Sequence, residues 1–403
     1  MRYPEVEYRL LSLFRYWNII EYYFPYKYLI DENWDDVLVE FIPKFLEAAN
    51  EEEYQLTTLE MIARIQDTHA TYTYAPRIEK FWGLRYAPVI LSFVENKPVV
   101  TGYYDKELGR QSGLKVGDVI TKINDKRIEE IIEETQKYIP ASNYPTQLRI
   151  LSDKLLRSND GKFDIEYFHD DKLQETTLDT YSYERLKIAE YDPLQLQKDY
   201  FKKMKSDIAY IYVGSLEEEH LPEVKKEIKD TKGLIIDLRG YPLDPTTPFT
   251  LANYLLPARK EFAKISTGSV QDPGIFPITK STKVGYWINP FYYKGKVVIL
   301  INENTQSLGE YATMMFRVAP DAIVIGSTTA GTDGNVFYIS LPGGIQTVIT
   351  GMGVYNPDGS QTQRIGIIPD IKVRPTIQGV KEGRDEVLER AVQLINENSL
   401  SNQ

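Results

Sequence analysis

From Glu7 to about Ala49 apolar residues recur at helical spacing: Leu10, Leu11, Phe14, Trp17 and Ile20, then Val37, Leu38, Phe41, Phe45 and Leu46. Pro25 interrupts the period, so the pattern predicts two helices joined through Phe24-Pro25-Tyr26-Lys27 and a third from about Glu52 to Ile65. This helical module closes on Gln66-Asp67-Thr68-His69-Ala70. From about Pro76 to Leu178 polar and apolar positions alternate instead, predicting strands around Pro88–Phe93, Pro98–Thr101 and Asp164–Phe168, with a helix from Arg127 to about Tyr138. Beyond Ser182 strand and helix patterns take turns. Ile208–Val213, Gly233–Gly240, Lys296–Ile301, Ala322–Gly326 and Gln346–Thr350 read as strands; Glu217–Lys229, Thr250–Leu256 and Gly383–Asn396 read as helices. Such alternation predicts an α/β core. The expected organisation is therefore an α/β multidomain chain: a helical module over 1–75, a β-rich domain over 76–181 and an α/β core with a C-terminal helix over 182–403.

Composition narrows the chemistry. With 403 residues and 42% apolar content the chain can bury more than one core. Asp plus Glu exceed Lys plus Arg by 58 to 47, a net charge of -11 without long like-charge blocks, which argues against nucleic acid as a partner. The absence of cysteine excludes disulfides, thiolate zinc sites and a cysteine nucleophile. Three histidines make a histidine-rich metal site improbable, and no metal or organic cofactor is expected. No apolar run approaches the roughly 20 residues of a membrane span. The start, Met1-Arg2-Tyr3-Pro4-Glu5, lacks the apolar stretch of a secretion signal, which fits a cytoplasmic protein or one whose export signal has been removed.

Candidate chemistry centres on Asn304-Thr305-Gln306-Ser307-Leu308-Gly309-Glu310, directly after the buried-strand run Val297–Ile301 and before the helical Tyr311–Phe316. A serine at a strand-to-helix turn exposes its hydroxyl at the carboxyl edge of a sheet, beside the next amide and the positive end of a helix, where an acyl-transfer nucleophile belongs. The alternative is a Ser-x-x-Glu capping box in which Ser307 and Glu310 only start the helix.

Other motifs give that serine a setting. Ser112–Asp125 contains Gly113-Leu114-Lys115-Val116-Gly117-Asp118 followed by an alternating run and a tight Asn124 turn, which resembles the core of PDZ domains. Leu234-Ile235-Ile236-Asp237-Leu238-Arg239-Gly240, Gly326-Ser327-Thr328-Thr329-Ala330-Gly331 and Gly366-Ile367-Ile368-Pro369-Asp370-Ile371 follow in order. From about Tyr8 to Gln393 the chain resembles the tail-specific, or C-terminal processing, serine peptidase family. That resemblance implies a core of repeated ββα type with an enoyl-hydratase-like layout, and a peptide or protein substrate. It also implies a PDZ-like domain that captures extended peptide by strand addition, with Gly113, Leu114 and Gly117 as its peptide-binding residues. An extracytoplasmic location, periplasm or cell envelope, is implied too.

One branch of the family pairs serine with a lysine base, but no lysine occurs from Val297 to Ile371. The tricorn-like branch uses a histidine preceded by a hydroxyl residue at the end of the helical module, and Thr68-His69-Ala70 matches that pattern. The resemblance thus implies Ser307 as nucleophile, His69 with Thr68 as the base, and the backbone N–H groups of Gly240 and Leu308 as oxyanion donors. His169 and His220 stand in charged runs and read as solvated. Where the branch carries an orienting acid this chain has Gln363, followed by Arg364, so the orienter is either Gln363 or Glu310. An amide cannot balance an imidazolium charge, which keeps open a catalytically inactive peptide-binding scaffold. A thioester-binding enzyme of enoyl-hydratase layout is the third reading, on fold analogy alone.

Overall fold

The computed structural model describes residues 2–73, 75–191 and 198–400. Its contacts divide the chain into two compact units. The first holds Met1–Ala189, Thr267–Pro277 and Asn335–Gly353; the second holds Glu190–Ser266, Ile278–Gly334 and Val354–Gln403.

In the first unit the helical period is realised as helices Val6–Tyr23, Trp34–Glu47 and Glu51–Ala63. Asn33 and Asn50 cap the second and third through their side chains, and Asp35, Asp36 and Glu51–Glu53 place negative charge on the first turns. Leu13, Tyr16 and Ile20 pack inward with Val37, Phe41, Phe45, Met61 and Ile62. Arg9 is buried among them and donates to the carbonyls of Phe45 and Leu46, which the end of the second helix leaves without intrahelical partners. Gln66, at φ 53°, turns the chain out of the third helix toward Asp67, Thr68 and His69.

The alternating segment forms an antiparallel sheet in the order Val89–Val94, Lys97–Tyr103, Val119–Ile123, Lys162–His169, Lys172–Asp179. Three helices in this stretch were not foreshadowed by the pattern: Pro76–Trp82, Lys106–Gln111 and Tyr144–Leu155. Pro145 reads as a breaker in sequence, but at the start of a helix its missing N–H costs nothing, and Asn143 caps the Thr146 amide. Leu151 and Leu155 of that helix join Val89, Leu91, Val100, Ile120, Phe163 and Ile165 in one core. The hairpin Val336–Leu341 with Ile345–Thr350 also belongs to this unit, tied to its N-terminal part by the Thr73 amide on the Gln346 carbonyl at 3.0 Å.

The second unit is built on a sheet ordered Phe201–Met204, Ile208–Tyr212, Gly233–Asp237, Lys296–Ile301, Ile323–Gly326, Ile371–Lys372, with only the first pair antiparallel. Every residue of Ile208–Tyr212 and Gly233–Asp237 is buried, as expected of strands covered on both faces. Val387, Ala391, Leu394 and Ile395 of the C-terminal helix cover Ile208, Ile235, Val298 and Ile325. The chain is thus a mixed α/β multidomain protein, as the alternation of patterns predicts. Among the described residues no helix is long and apolar enough to cross a membrane.

Candidate active site

Strand Lys296–Ile301 delivers the chain to a turn that its own polar groups hold. Thr305 accepts from the Asn302 amide at 3.1 Å and donates to the Leu238 carbonyl at 2.8 Å, fastening the turn to the neighbouring strand exit. Ser307 follows at φ 53°, ψ -117° and is half-buried. An L-residue in that region is strained by about 1–3 kcal/mol and persists only where its surroundings over-determine it. Here they do: the Ser307 amide donates to the Thr332 carbonyl at 2.9 Å and lies 3.3 Å from Glu310 Oε2. An N-cap serine needs extended backbone to reach back to the helix amides. Ser307 and Glu310 stand as a capping box at the head of helix Leu308–Phe316, but the serine backbone lies outside the extended region an N-cap ordinarily takes.

Glu310 is fully buried one turn into that helix. It accepts from the amides of Gly331 and Thr332, both at 2.9 Å, and from the Thr329 hydroxyl, so it pins the 329–332 loop beneath the serine turn. Burial pushes its carboxyl up to about 7, against the lowering effect of those hydrogen bonds. Asp333 is buried as well, and burial followed by the Glu310 charge pushes it well above the ordinary carboxylate range. Gln363 is fully buried on a segment stapled to the same loop by the Arg364 amide on the Gly331 carbonyl at 2.7 Å.

The two oxyanion candidates lie in this unit too. Arg239 makes hydrogen bonds to Asp237 and to Asp385 at the start of the C-terminal helix, clamping the strand exit just before Gly240. A Cβ at 240 would lie 2.0 Å from the Tyr212 hydroxyl, so a side chain there would displace that buried ring. Leu308 is the first residue of its helix, where backbone N–H groups lack intrahelical acceptors. The Gly240 turn reaches this helix through Pro242, whose Cδ lies 3.9 Å from where a Gly309 side chain would begin.

His69 belongs to the first unit. Its side chain is 8% exposed, and its Nδ1 lies 2.8 Å from the Thr350 hydroxyl and 3.9 Å from Asp67 Oδ1. Burial pushes the imidazole below its ordinary value of 6.5, while the Asp67 charge opposes that fall. Asp67, fully buried, accepts from the Thr350 amide at 2.7 Å, the Thr350 hydroxyl at 2.9 Å and the His69 amide at 3.2 Å. Thr68 turns away from the imidazole: its amide and hydroxyl both meet Ser142 Oγ at 3.0 Å, and it accepts from the Ser142 amide at 2.8 Å.

The other two histidines are not solvated as the charged runs suggested. His169 Nδ1 is 2.7 Å from Asp118, and the His220 ring stacks on Tyr200 at 4.0 Å. Charge in the adjacent sequence says nothing of the partner across the sheet or loop. Of the candidate peptide-binding residues, Gly113 and Gly117 take φ of 82° and 94° and shape their turn, whereas the Leu114 side chain is in the sheet core, its amide donates to Ser112 Oγ at 3.3 Å and its carbonyl accepts from the Tyr103 hydroxyl at 2.9 Å. Sequence reasoning missed Asp67 and Thr350. Asp67 had a local signal, two residues before His69; Thr350 had none, standing 281 residues from the histidine it touches.

In the second unit a buried, mostly parallel sheet leads into a strained serine at the head of a helix. Residues 207–373 match peptidase family S41. A curated protein of Chlamydia trachomatis serovar D is 28% identical over 107 residues, which are 26% of this chain and 18% of that relative's length. Among solved structures, mature CPAF complexed with lactacystin aligns over 99% of both chains with a TM-score of 0.76 and 13% identity. The photosystem II D1 C-terminal processing protease aligns over 91% of this chain and 92% of its own, with a TM-score of 0.50 and 13% identity. At these identities the structures share the fold.

Proposed function

We propose that this chain is a serine endopeptidase that hydrolyses extended peptides or protein C-terminal tails through an acyl-enzyme. The observation that carries the reading is the backbone of Ser307, held at φ 53°, ψ -117°. A serine kept only to start a helix would sit in relaxed extended backbone. A nucleophile at a strand-to-helix turn is strained so that its oxygen stands clear.

In the reaction, Ser307 Oγ bonds to the peptide carbonyl carbon while its proton passes to His69. The carbonyl oxygen becomes an oxyanion received by the N–H groups of Gly240 and Leu308. Collapse breaks the C–N bond, and the histidine proton leaves on the amine. Water then attacks the ester by the same route and frees Ser307. Each oxyanion donor is worth about 2.7–4 kcal/mol in comparable sites. An extracytoplasmic site of action follows from the family resemblance.

Gln363 favours a second reading, because a neutral buried amide stands where the tricorn-like pattern has an acid. On that reading the chain binds peptides and does not cleave them. A fluorophosphonate probe separates the two. The peptidase reading expects covalent labelling of wild type at Ser307, with none in Ser307→Ala at an unchanged thermal midpoint; absence of labelling in folded wild type would favour the scaffold.

A further inference from the structure

The groups around His69 form a chain whose hydrogen positions follow from elementary donor counting. A carboxylate has no hydrogen to give, so the 2.9 Å contact between Asp67 Oδ1 and the Thr350 hydroxyl uses the one hydroxyl hydrogen of Thr350. Toward His69 Nδ1, 2.8 Å away, the same oxygen then offers a lone pair. That contact is a hydrogen bond only if Nδ1 carries the hydrogen. In a neutral imidazole the other nitrogen, Nε2, is then the basic one. Asp67 does not reach the ring itself, since 3.9 Å exceeds a hydrogen bond, so its orientation of the ring passes through Thr350.

We propose that Asp67 and Thr350 are the positioning pair of the histidine base, fixing His69 as the Nδ1–H tautomer through a carboxylate–hydroxyl–imidazole relay. The proposal rests on the reading of His69 as the base. It assigns the acid, which the family pattern places at Gln363, to the residue two before the histidine.

The relay is built to be rigid. Asp67 and Thr350 are both fully buried, and Asp67 holds the Thr350 amide as well as its hydroxyl, so strand Ile345–Thr350 presents that oxygen at a fixed height. The His69 amide on the same carboxylate fixes the main chain of the histidine relative to its partner. Burial, and then the Asp67 charge, push the Tyr16 phenol well above its ordinary value, so it stays neutral beside the carboxylate. When the imidazole takes a proton during the reaction, the nearest countercharge is Asp67, relayed across one hydroxyl.

The test reads tautomer and rate separately. With only three histidines, the ring nitrogens of uniformly 15N-histidine-labelled protein can be assigned by His69→Asn. In the Ser307→Ala background, where no turnover occurs, we expect a protonated Nδ1 and a bare Nε2 for His69 above pH 7. Asp67→Asn, whose amide can donate to Thr350, should reverse the hydroxyl and raise the Nε2–H population. In the Ser307 protein, Thr350→Val keeps shape and backbone but removes the oxygen; kcat on a short peptide should fall about 10²-fold or more with KM little changed. Thr350→Ser should recover activity to within about tenfold. An Nε2–H tautomer in the parent, or Thr350→Val at the rate of Thr350→Ser, would overturn the relay. Should Thr350→Val not fold, the parent tautomer still decides. A bare Nε2 together with a Ser307→Ala protein that still hydrolyses peptide would instead leave the relay standing and remove the peptidase assignment.

Discussion

The imidazole of His69 sits where its charge is unwelcome. Burial lowers its titration below 6.5 and the Asp67 carboxylate only partly restores it. In the role proposed for it, His69 must be neutral to accept the Ser307 proton, so kcat/KM should fall as pH drops through the folded-state value, with an acid limb centred below 6.5. The stability sign agrees: the unfolded chain takes the proton first as pH falls, so the native state loses stability below 6.5. A limb at or above 6.5 on a short peptide, measured with His69→Asn as the blank, would mean that another group titrates. At this scale the sequence was legible where chemistry is local. Ser307 and His69 stand inside short motifs. Thr350 does not, because a threonine at the end of a strand looks like any β-branched residue until the fold brings Asp67 to it.

At the scale of elements, helix Leu308–Phe316 and loop 329–334 act as one piece because Glu310 joins them. Its folded-state value of about 7 lies above the unfolded 4.5, so the native state binds the proton more tightly. Stability from this group is then full below 4.5 and is lost as pH rises toward 7, by on the order of 3 kcal/mol. Asp333, shifted in the same direction, titrates with it as a pair. Urea unfolding at pH 5 and pH 8 should show a larger drop in wild type than in Glu310→Gln, which has no proton to lose. Equal drops would place the pH response elsewhere. The helix was readable from period and motif, and Ser-x-x-Glu rightly marked its first turn. What the motif concealed is that Glu310 serves the loop, which follows from packing between segments some twenty positions apart. Proline misled in the same way at Pro145: a breaker in the middle of a helix is harmless at its start.

For the whole chain, the β-rich segment has two possible uses, and the first unit contains the contact that separates them. Its turn Gly113–Asp118 carried the resemblance to PDZ domains, and peptide capture was the expectation drawn from it. The fold adds a second link that no pattern shows: Ser142 Oγ receives the amide and the hydroxyl of Thr68, directly before His69. Both residues are buried, so Ser142→Ala leaves the Thr68 amide without this acceptor, a cost of about 1–3 kcal/mol. If the segment serves chiefly to hold the histidine loop, Ser142→Ala should lower kcat on short and long substrates by the same factor, with Thr68→Val doing likewise. A segment that serves chiefly to deliver peptide would leave the short-substrate rate untouched in Ser142→Ala, and its loss would appear as raised KM on long substrates alone. We expect the first pattern, because three hydrogen bonds bind Thr68 to Ser142 while the Leu114 side chain is turned into the core. Paired short- and long-peptide kinetics on the two variants, beside their thermal midpoints, decide between them.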